Sequence, residues 1–98
     1  MSEQLEARSF VVISTGHISF ETGILLDETE PKQWPCVGGC YADYGWFVYA
    51  HDENCGVGDQ HIPDDLFAVM AWARTKGFHY ILLDRDADEV GDLPWFDW

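Results

Sequence analysis

The stretch that decides the fold is residues 63–83, PDDLFAVMAWARTKGFHYILL. Its opening, Pro63-Asp64-Asp65, predicts the start of a helix, because proline suits the first helical turn and carboxylates favour the positive end of the helix dipole. Apolar residues then recur at helical spacing up to Gly77, a residue type that often ends a helix. The apolar run from Phe78 to Leu83 predicts a last strand immediately after this helix.

The N-terminal third has the signals of a strand followed by a helix. Residues 9–14 form a β-branched and aromatic run, which predicts a buried first strand. Ser19 is a typical cap for a helix that continues to Asp27-Glu28. Phe20, Ile24 and Leu25 are predicted to form the apolar stripe of this helix.

Residues 34–51 are rich in aromatic and β-branched side chains, which predicts two adjoining antiparallel strands. The turn between them falls either at Gly38-Gly39 or at Asp43-Tyr44-Gly45, since glycine accepts the backbone conformations that tight turns need. Alternation along the second strand separates a core-facing set from an outward set: Trp46, Val48 and Ala50 against Phe47, Tyr49 and His51.

This order of elements, β-α-β-β-α-β, predicts an α+β protein with a ferredoxin-like fold. Such a fold is a two-layer sandwich in which a four-stranded antiparallel sheet carries two helices on one face. The 98 residues fit a single domain, 1–98, with residues 1–7 frayed and residues 84–98 forming an acidic aromatic tail. The other face of the sheet is expected to stay open unless the tail folds over it.

The charge of the chain limits the partners that it can bind. It carries 18 acidic and five basic residues, a formal net charge of −13 at pH 7. This charge repels nucleic-acid phosphates and anionic lipid headgroups, which argues against direct nucleic-acid binding and against membrane binding. It favours a basic protein surface as partner, although carboxylates also serve simply to keep a small domain in solution.

The sequence predicts a cytoplasmic protein. No run approaches the roughly 18 apolar residues that a membrane span needs. Residues 1–6 have neither the basic region nor the apolar core of a signal peptide. Three cysteines, an odd number, fit free thiols in a reducing compartment.

The tail, residues 84–98, combines six carboxylates and one arginine with two tryptophans and one phenylalanine. In protein interfaces, rings supply most of the binding energy and charges mostly steer the encounter. We therefore predict that the tail contacts the partner. The predicted contact residues are Asp84, Asp86, Asp88, Glu89, Asp92, Trp95, Phe96 and Trp98.

Cys36, Cys40, His51 and Cys55 offer an alternative, either a zinc site or a hydrolytic centre with a cysteine nucleophile. The spacing argues against a shared metal unless Gly38-Gly39 folds the chain, because Cys36 and Cys40 on one extended strand would lie about 13 Å apart. Neighbouring carboxylates would raise the pKa of a nucleophilic thiol and suppress its reactivity. We therefore favour a protein without a cofactor and without catalytic activity.

Thr15-Gly16-His17 joins the predicted first strand to the first helix. A histidine at this place has the chemistry of an acid or base near neutral pH. The sequence has no phosphate-binding glycine loop, however, and the negative charge opposes a phosphorylated substrate. We interpret the turn as structural.

Several segments together resemble a known family. They are residues 12–19, 21–22 and 25–28, then Tyr44-Gly45-Trp46-Phe47-Val48, and finally residues 82–86 with Leu93-Pro94-Trp95-Phe96-Asp97-Trp98. The resemblance is to an uncharacterised family of small proteins carried on plasmids and integrative elements of proteobacteria. It implies a setting, mobile DNA, and no particular chemistry. The three cysteines are not part of the family pattern, which weakens the zinc hypothesis.

The leading hypothesis is an acidic accessory protein of a mobile genetic element that binds a basic protein surface. By placing carboxylates where phosphates would lie, it would act as a nucleic-acid mimic or an inhibitor of a host defence or DNA-binding protein. The alternatives are the zinc-binding or hydrolytic domain and a structural homodimer formed through the open sheet face.

Overall fold

Four strands and two α-helices form the part of the chain that the computed structural model describes, residues 5–54 and 61–98. In chain order they are β1 (Phe10–Ile13), α1 (Phe20–Glu28), β2 (Gly38–Tyr41), β3 (Gly45–Tyr49), α2 (Asp64–Thr75) and β4 (Tyr80–Asp84). The α+β content and the predicted order of elements are confirmed. No helix in these two ranges is long and apolar enough to cross a membrane.

The arrangement of the strands corrects the predicted fold. The sheet order is β1-β4-β3-β2, with β4 parallel to β1 and antiparallel to β3. β2 pairs with β3 in antiparallel orientation. The sheet is therefore mixed, and the prediction of a ferredoxin-like, fully antiparallel sheet is wrong.

Burial explains why β4 lies inside the sheet and β1 at its edge. Ile81, Leu82 and Leu83 are all buried, so β4 presents apolar side chains to both faces, as central strands do. In β1, by contrast, Phe10 and Val12 are 48% and 45% exposed. The prediction of a buried first strand is therefore wrong, because an edge position leaves one side of this apolar run uncovered.

Both helices pack on the same face of the sheet. One core cluster joins strand and helix side chains that have no exposed surface: Ile13, Val48, Ile81 and Leu83 from the strands, and Leu26, Leu66 and Met70 from the helices. The predicted core side of β3 is confirmed, since Trp46, Val48 and Ala50 are buried.

The start of α1 is tied to the start of α2. Ser19 caps α1 as predicted, and its hydroxyl oxygen accepts from the Thr22 N–H at 3.2 Å. The Asp65 carboxylate in the first turn of α2 accepts from the Ser19 N–H at 2.7 Å and from the Thr22 hydroxyl at 2.8 Å. One charged side chain thus fixes the two helix starts relative to each other.

The inward side of α1 differs from the predicted stripe. Thr22, Gly23 and Leu26 are its buried residues, whereas Phe20 and Ile24 are 52% and 38% exposed. Gly23 faces inward because the Trp98 ring packs on it, Thr22 because its hydroxyl donates to Asp65, and Leu26 because it belongs to the core cluster.

The structure decides between the two predicted hairpin turns. Residues 42–44 form the turn, closed by a bond from the Tyr44 N–H to the Tyr41 carbonyl at 2.9 Å. Gly38 and Gly39 lie within β2 instead. At Gly38 a side chain is excluded, because its Cβ would collide with the carbonyl oxygen of Phe47.

The face of the sheet opposite the helices carries a row of aromatic rings. Phe10 contacts Phe47 edge to face at 5.5 Å between ring centroids, Phe47 stacks on Tyr80 at 5.1 Å, and Tyr80 contacts Tyr49 at 5.4 Å. The tail does not fold over this row, since Trp95 contacts His17 and Trp98 contacts Phe20 on the other side of the sheet. We call Phe10, Val12, Phe47, Tyr49 and Tyr80 the open face.

Candidate functional site

The tail is anchored to the segment that joins β1 to α1. The Phe96 N–H donates to the Gly16 carbonyl at 2.7 Å, and the Trp98 indole N–H donates to the Ile18 carbonyl at 2.8 Å. Leu93 is buried within the core cluster. The tail therefore has a defined path along the protein.

His17 holds the tail through both ring nitrogens. Its Nδ1 lies 2.7 Å from the Pro94 carbonyl oxygen, and its Nε2 accepts from the Val90 N–H at 2.8 Å. An acceptor at Nε2 and a carbonyl at Nδ1 require a neutral ring that is protonated at Nδ1. Since the ring is 1% exposed, the interpretation of this turn as structural agrees with the position of His17.

The two tail indoles lie over glycines. A Cβ on Gly16 would collide with the Trp95 ring, and a Cβ on Gly23 would collide with the Trp98 ring. Trp95 and Trp98 nevertheless remain 48% and 52% exposed. Each indole therefore has one side packed on backbone and the other side available for contact.

The predicted contact residues of the tail lie mostly on the surface. Asp86, Asp88, Glu89 and Asp92 are exposed, while Asp84 and Phe96 are half-buried. Asp84 accepts from the Asp86 N–H at 2.9 Å, which shapes the start of the tail. Asp92 lies 3.6 Å from the Lys76 ammonium, an exposed pair of little energetic weight.

Two adjoining cavities lie at the end of the sheet where β1 and β4 terminate. Because these strands are parallel, Thr15 after β1 and Arg85 after β4 come to the same end of the sheet. Thr15, Arg85 and Trp98 are shared by two adjoining cavities of about 270 and 220 Å³. Cavities at the carboxyl ends of parallel strands are common ligand sites in α/β proteins.

The larger cavity, which we call the groove, combines rings with charged groups. Its aromatic walls are Tyr44, Trp46 and Trp98, and its carboxylates are Asp27 and Asp43. The Trp46 indole N–H donates to Asp27 Oδ1 at 3.2 Å. Neither carboxylate forms an ion pair with any residue in the ranges 5–54 and 61–98.

Arg85 supplies a positive charge to the groove. Its guanidinium lies over the Tyr44 ring, 5.3 Å from the centroid, and its backbone N–H donates to the Tyr44 carbonyl at 2.8 Å. An arginine over a tyrosine face is attracted by the ring quadrupole. The groove therefore already holds one guanidinium against one of its aromatic walls.

Comparison with known proteins assigns a family. Residues 10–98 match a family of unknown function, the DUF5983 C-terminal domain. The chain belongs to this family. No curated protein and no solved structure matches the chain. The resemblance to an uncharacterised family is thus confirmed, and the matched region of this DUF5983 domain includes the whole tail and every residue of the groove.

The cysteine and histidine set of the alternative hypothesis is not brought together by the described part of this DUF5983 domain. Cys55 lies outside the described residues. Within the ranges 5–54 and 61–98, no group of three or more histidine, cysteine or acidic side chains is placed to hold a metal ion. His51 uses Nε2 to accept from the Val37 N–H at 3.0 Å, and burial lowers its pKa below the usual histidine value.

Cys36 and Cys40 have different environments. Cys36 is buried, and the loss of solvation raises the pKa of its thiol to about 12. Cys40 is exposed and lines the groove. Cys36 is therefore a core side chain in its thiol form, not a nucleophile.

Sequence reasoning missed the groove residues Thr15, Asp27, Asp43 and Arg85. If the first and last strands were antiparallel, Thr15 and Arg85 would lie at opposite ends of the strands. The one available signal was the pair of polar breaks that follow the two apolar runs, at residues 14–15 and 84–86. That signal becomes informative only when the two strands are known to be parallel.

We predict that Gly23→Ala releases Trp98 from α1. The added methyl collides with the indole, so the bond to the Ile18 carbonyl is lost, although alanine itself favours the helix by about 0.5–1 kcal/mol. The Trp98 indole N–H should exchange with solvent faster, as measured by NMR. Gly91→Ala is the control, since no atom lies within 4 Å of its added Cβ. Unchanged exchange of the Trp98 indole in Gly23→Ala would contradict the packing described here.

We also predict selective alkylation of Cys40 in a Cys55→Ser background. At pH 8 a pKa of about 12 leaves Cys36 with about a thousandfold less thiolate than an ordinary thiol, and burial blocks the reagent as well. Iodoacetamide should modify Cys40 in the native protein and Cys36 only after unfolding, as measured by peptide mass mapping. Equal rates at the two cysteines in the native state would show that Cys36 is not buried.

Proposed function

We propose that this protein is a binding module that captures a basic protein surface through its acidic aromatic tail. On the resemblance described above, we propose an accessory role on a mobile genetic element. The target class is a host defence or DNA-binding protein, whose cationic surface the tail would cover as a nucleic-acid mimic. No catalytic step is part of this proposal.

The observation that supports the proposal is a tail that is hydrogen-bonded to the rest of the domain and carries exposed charges. Asp86, Asp88, Glu89 and Asp92 are exposed, and His17 holds the backbone beside them by accepting from the Val90 N–H. Gly16 and Ile18 hold the end of the tail through the Phe96 N–H and the Trp98 indole. A segment that is ordered before binding loses less conformational entropy when the partner arrives. Preorganised carboxylates therefore attract cations at a smaller cost than carboxylates on a disordered tail.

The tail indoles add the apolar part of the interface. Trp95 packs on Gly16 and Trp98 packs on Gly23, while about half of each residue stays accessible. Tryptophan is one of the residue types enriched among the residues that contribute most to binding energy in protein interfaces. Charges that steer and rings that anchor thus occur together on the same 15 residues.

The proposal predicts that affinity for a basic partner depends more on the charges of the tail than on the net charge of the protein. Reversal of Asp86, Asp88 and Glu89 to lysine should weaken binding of a deca-arginine peptide about tenfold or more, a change of about 1.4 kcal/mol. It should also flatten the dependence of affinity on salt concentration, because fewer counterions are displaced. Titration calorimetry at several salt concentrations measures both effects.

The matched control reverses three exposed acids elsewhere, Glu6, Glu30 and Asp52. Glu6 and Glu30 take part only in exposed ion pairs, so their replacement should change the free energy of unfolding little. Both triple variants carry the same net charge. If the control loses as much affinity as the tail variant, the tail is not the binding site. The tail carboxylates then affect binding only through the net charge of the protein.

A second candidate function, a structural homodimer, is favoured by the open face. Its five residues are aromatic or aliphatic, and none carries a charge in a protein with a net charge of −13. Two copies can therefore meet over these five residues without placing carboxylates opposite one another, with Asp84 at the end of the same side of β4. An uncovered apolar sheet face of this kind commonly marks an interface.

The homodimer predicts a solution mass of twice 11.2 kDa at micromolar concentration. Val12→Asp puts a carboxylate on the open face at a position that is 45% exposed, and it should produce the monomer. Ile24→Asp adds the same charge on α1, where the side chain is 38% exposed, and should leave the dimer intact. Analytical ultracentrifugation distinguishes these outcomes, and a monomeric wild-type protein would exclude this function.

A further inference from the structure

We propose that the groove is the recognition pocket for one arginine side chain of the partner. This inference rests on the proposed function, since it names the place where a basic surface inserts a residue. The groove offers what a guanidinium needs: aromatic faces on which the planar group can stack, and carboxylates that accept its hydrogen bonds.

The carboxylates provide the charge complementarity. Asp27 and Asp43 line the groove without a cation among the described residues as ion-pair partner. Asp27 lies in the last turn of α1, where the negative end of the helix dipole also favours a cation. An incoming guanidinium therefore meets two carboxylates that form no ion pair with any described residue.

The aromatic walls provide the apolar part. Trp46 forms a buried wall, and Trp98 and Tyr44 form exposed ones. The cavity of about 270 Å³ is large enough for the end of a single side chain and too small for a folded element. These dimensions favour one inserted residue over a helix or a strand of the partner.

Arg85 already makes, within the chain, the contact between a guanidinium and an aromatic ring that we propose for the partner arginine. Its guanidinium rests over Tyr44, 5.3 Å from the ring centroid, inside the groove. A partner arginine must share the groove with this like charge, or displace it. Arg85 thus competes with the partner, and its removal should strengthen binding.

The position of Trp98 links the groove to the tail. The same indole that packs on Gly23 and bonds to Ile18 forms one wall of the groove. The groove is therefore complete only when the tail is docked. A partner that binds the tail carboxylates is placed directly beside the groove, because Arg85 and Trp98 belong to the tail.

The test uses the full chain and two tripeptides, acetyl-Gly-Arg-Gly-amide and its citrulline counterpart, which has the same shape without the charge. The arginine peptide should shift the Trp46 indole N–H resonance, because that group donates to Asp27. The citrulline peptide should shift it much less. Equal shifts with both peptides, or a shift with neither, would overturn the proposal without the need for any variant.

Asp27→Asn and Asp43→Asn keep the size of each side chain and remove its charge. Each should weaken binding of the arginine peptide about fivefold or more, because the variant loses the charge-assisted hydrogen bond between the guanidinium and that carboxylate. Glu28→Gln, next to Asp27 but outside the groove, makes the same change in net charge and should weaken binding less than about twofold. Equal losses in Asp27→Asn and Glu28→Gln would overturn the proposal.

Arg85→Gln gives a change in the opposite direction. It should strengthen binding of the arginine peptide about threefold or more, since it removes a like charge and exposes the Tyr44 ring. Lys32→Gln is its control, because it alters the net charge equally at an exposed position outside the groove. The same gain in both variants, or none in Arg85→Gln, would overturn the role assigned to Arg85.

These outcomes separate the two proposals. If the groove variants bind the arginine peptide normally while the tail reversal still weakens deca-arginine binding, the pocket is wrong and the tail function remains. If the groove variants lose the arginine peptide while the tail reversal has no effect, the pocket stands and the tail is not the main contact surface. If the groove variants bind the arginine peptide normally and the tail reversal binds deca-arginine normally, both proposals are rejected.

Discussion

The parallel pairing of β1 with β4 is the constraint on which the rest of the structure depends. It aligns Ile13 with Leu83, so the chain leaves both strands at one edge of the sheet. The turn with Thr15 and His17 and the start of the tail at Arg85 therefore become neighbours. Both the docking of the tail and the two cavities follow from that alignment.

The tail shows how a strongly charged segment becomes ordered. Its carboxylates gain nothing from burial, so the order comes from other groups: the imidazole of His17, the carbonyls of Gly16 and Ile18, and the two indoles on glycine backbones. A buried neutral histidine that satisfies two backbone groups is costly to remove, because both groups would be left without partners. The acids remain free to act on the outside while the backbone beneath them is fixed.

The open face and the groove lie on different parts of the molecule and have different character. The open face is aromatic and uncharged, whereas the groove mixes rings with Asp27, Asp43 and Arg85. A flat apolar face suits a large, uncharged partner surface, while a concave site with carboxylates suits a single cationic group. The two surfaces can therefore be used without excluding each other.

The sequence by itself determined the local structure: the cap at Ser19, the limits of α2, the inward side of β3 and the acidic character of the tail are all properties of neighbouring residues. Local propensity and alternation are enough for such features, because they act within a few residues along the chain. Which strands pair, and in which direction, was decided by the tertiary structure, since β4 gains most from a central position where Leu82 is covered as well as Ile81 and Leu83. The inward side of α1 and the groove depend in turn on contacts between residues far apart in sequence, such as Trp98 with Gly23 and Asp65 with Thr22, and no local pattern encodes them.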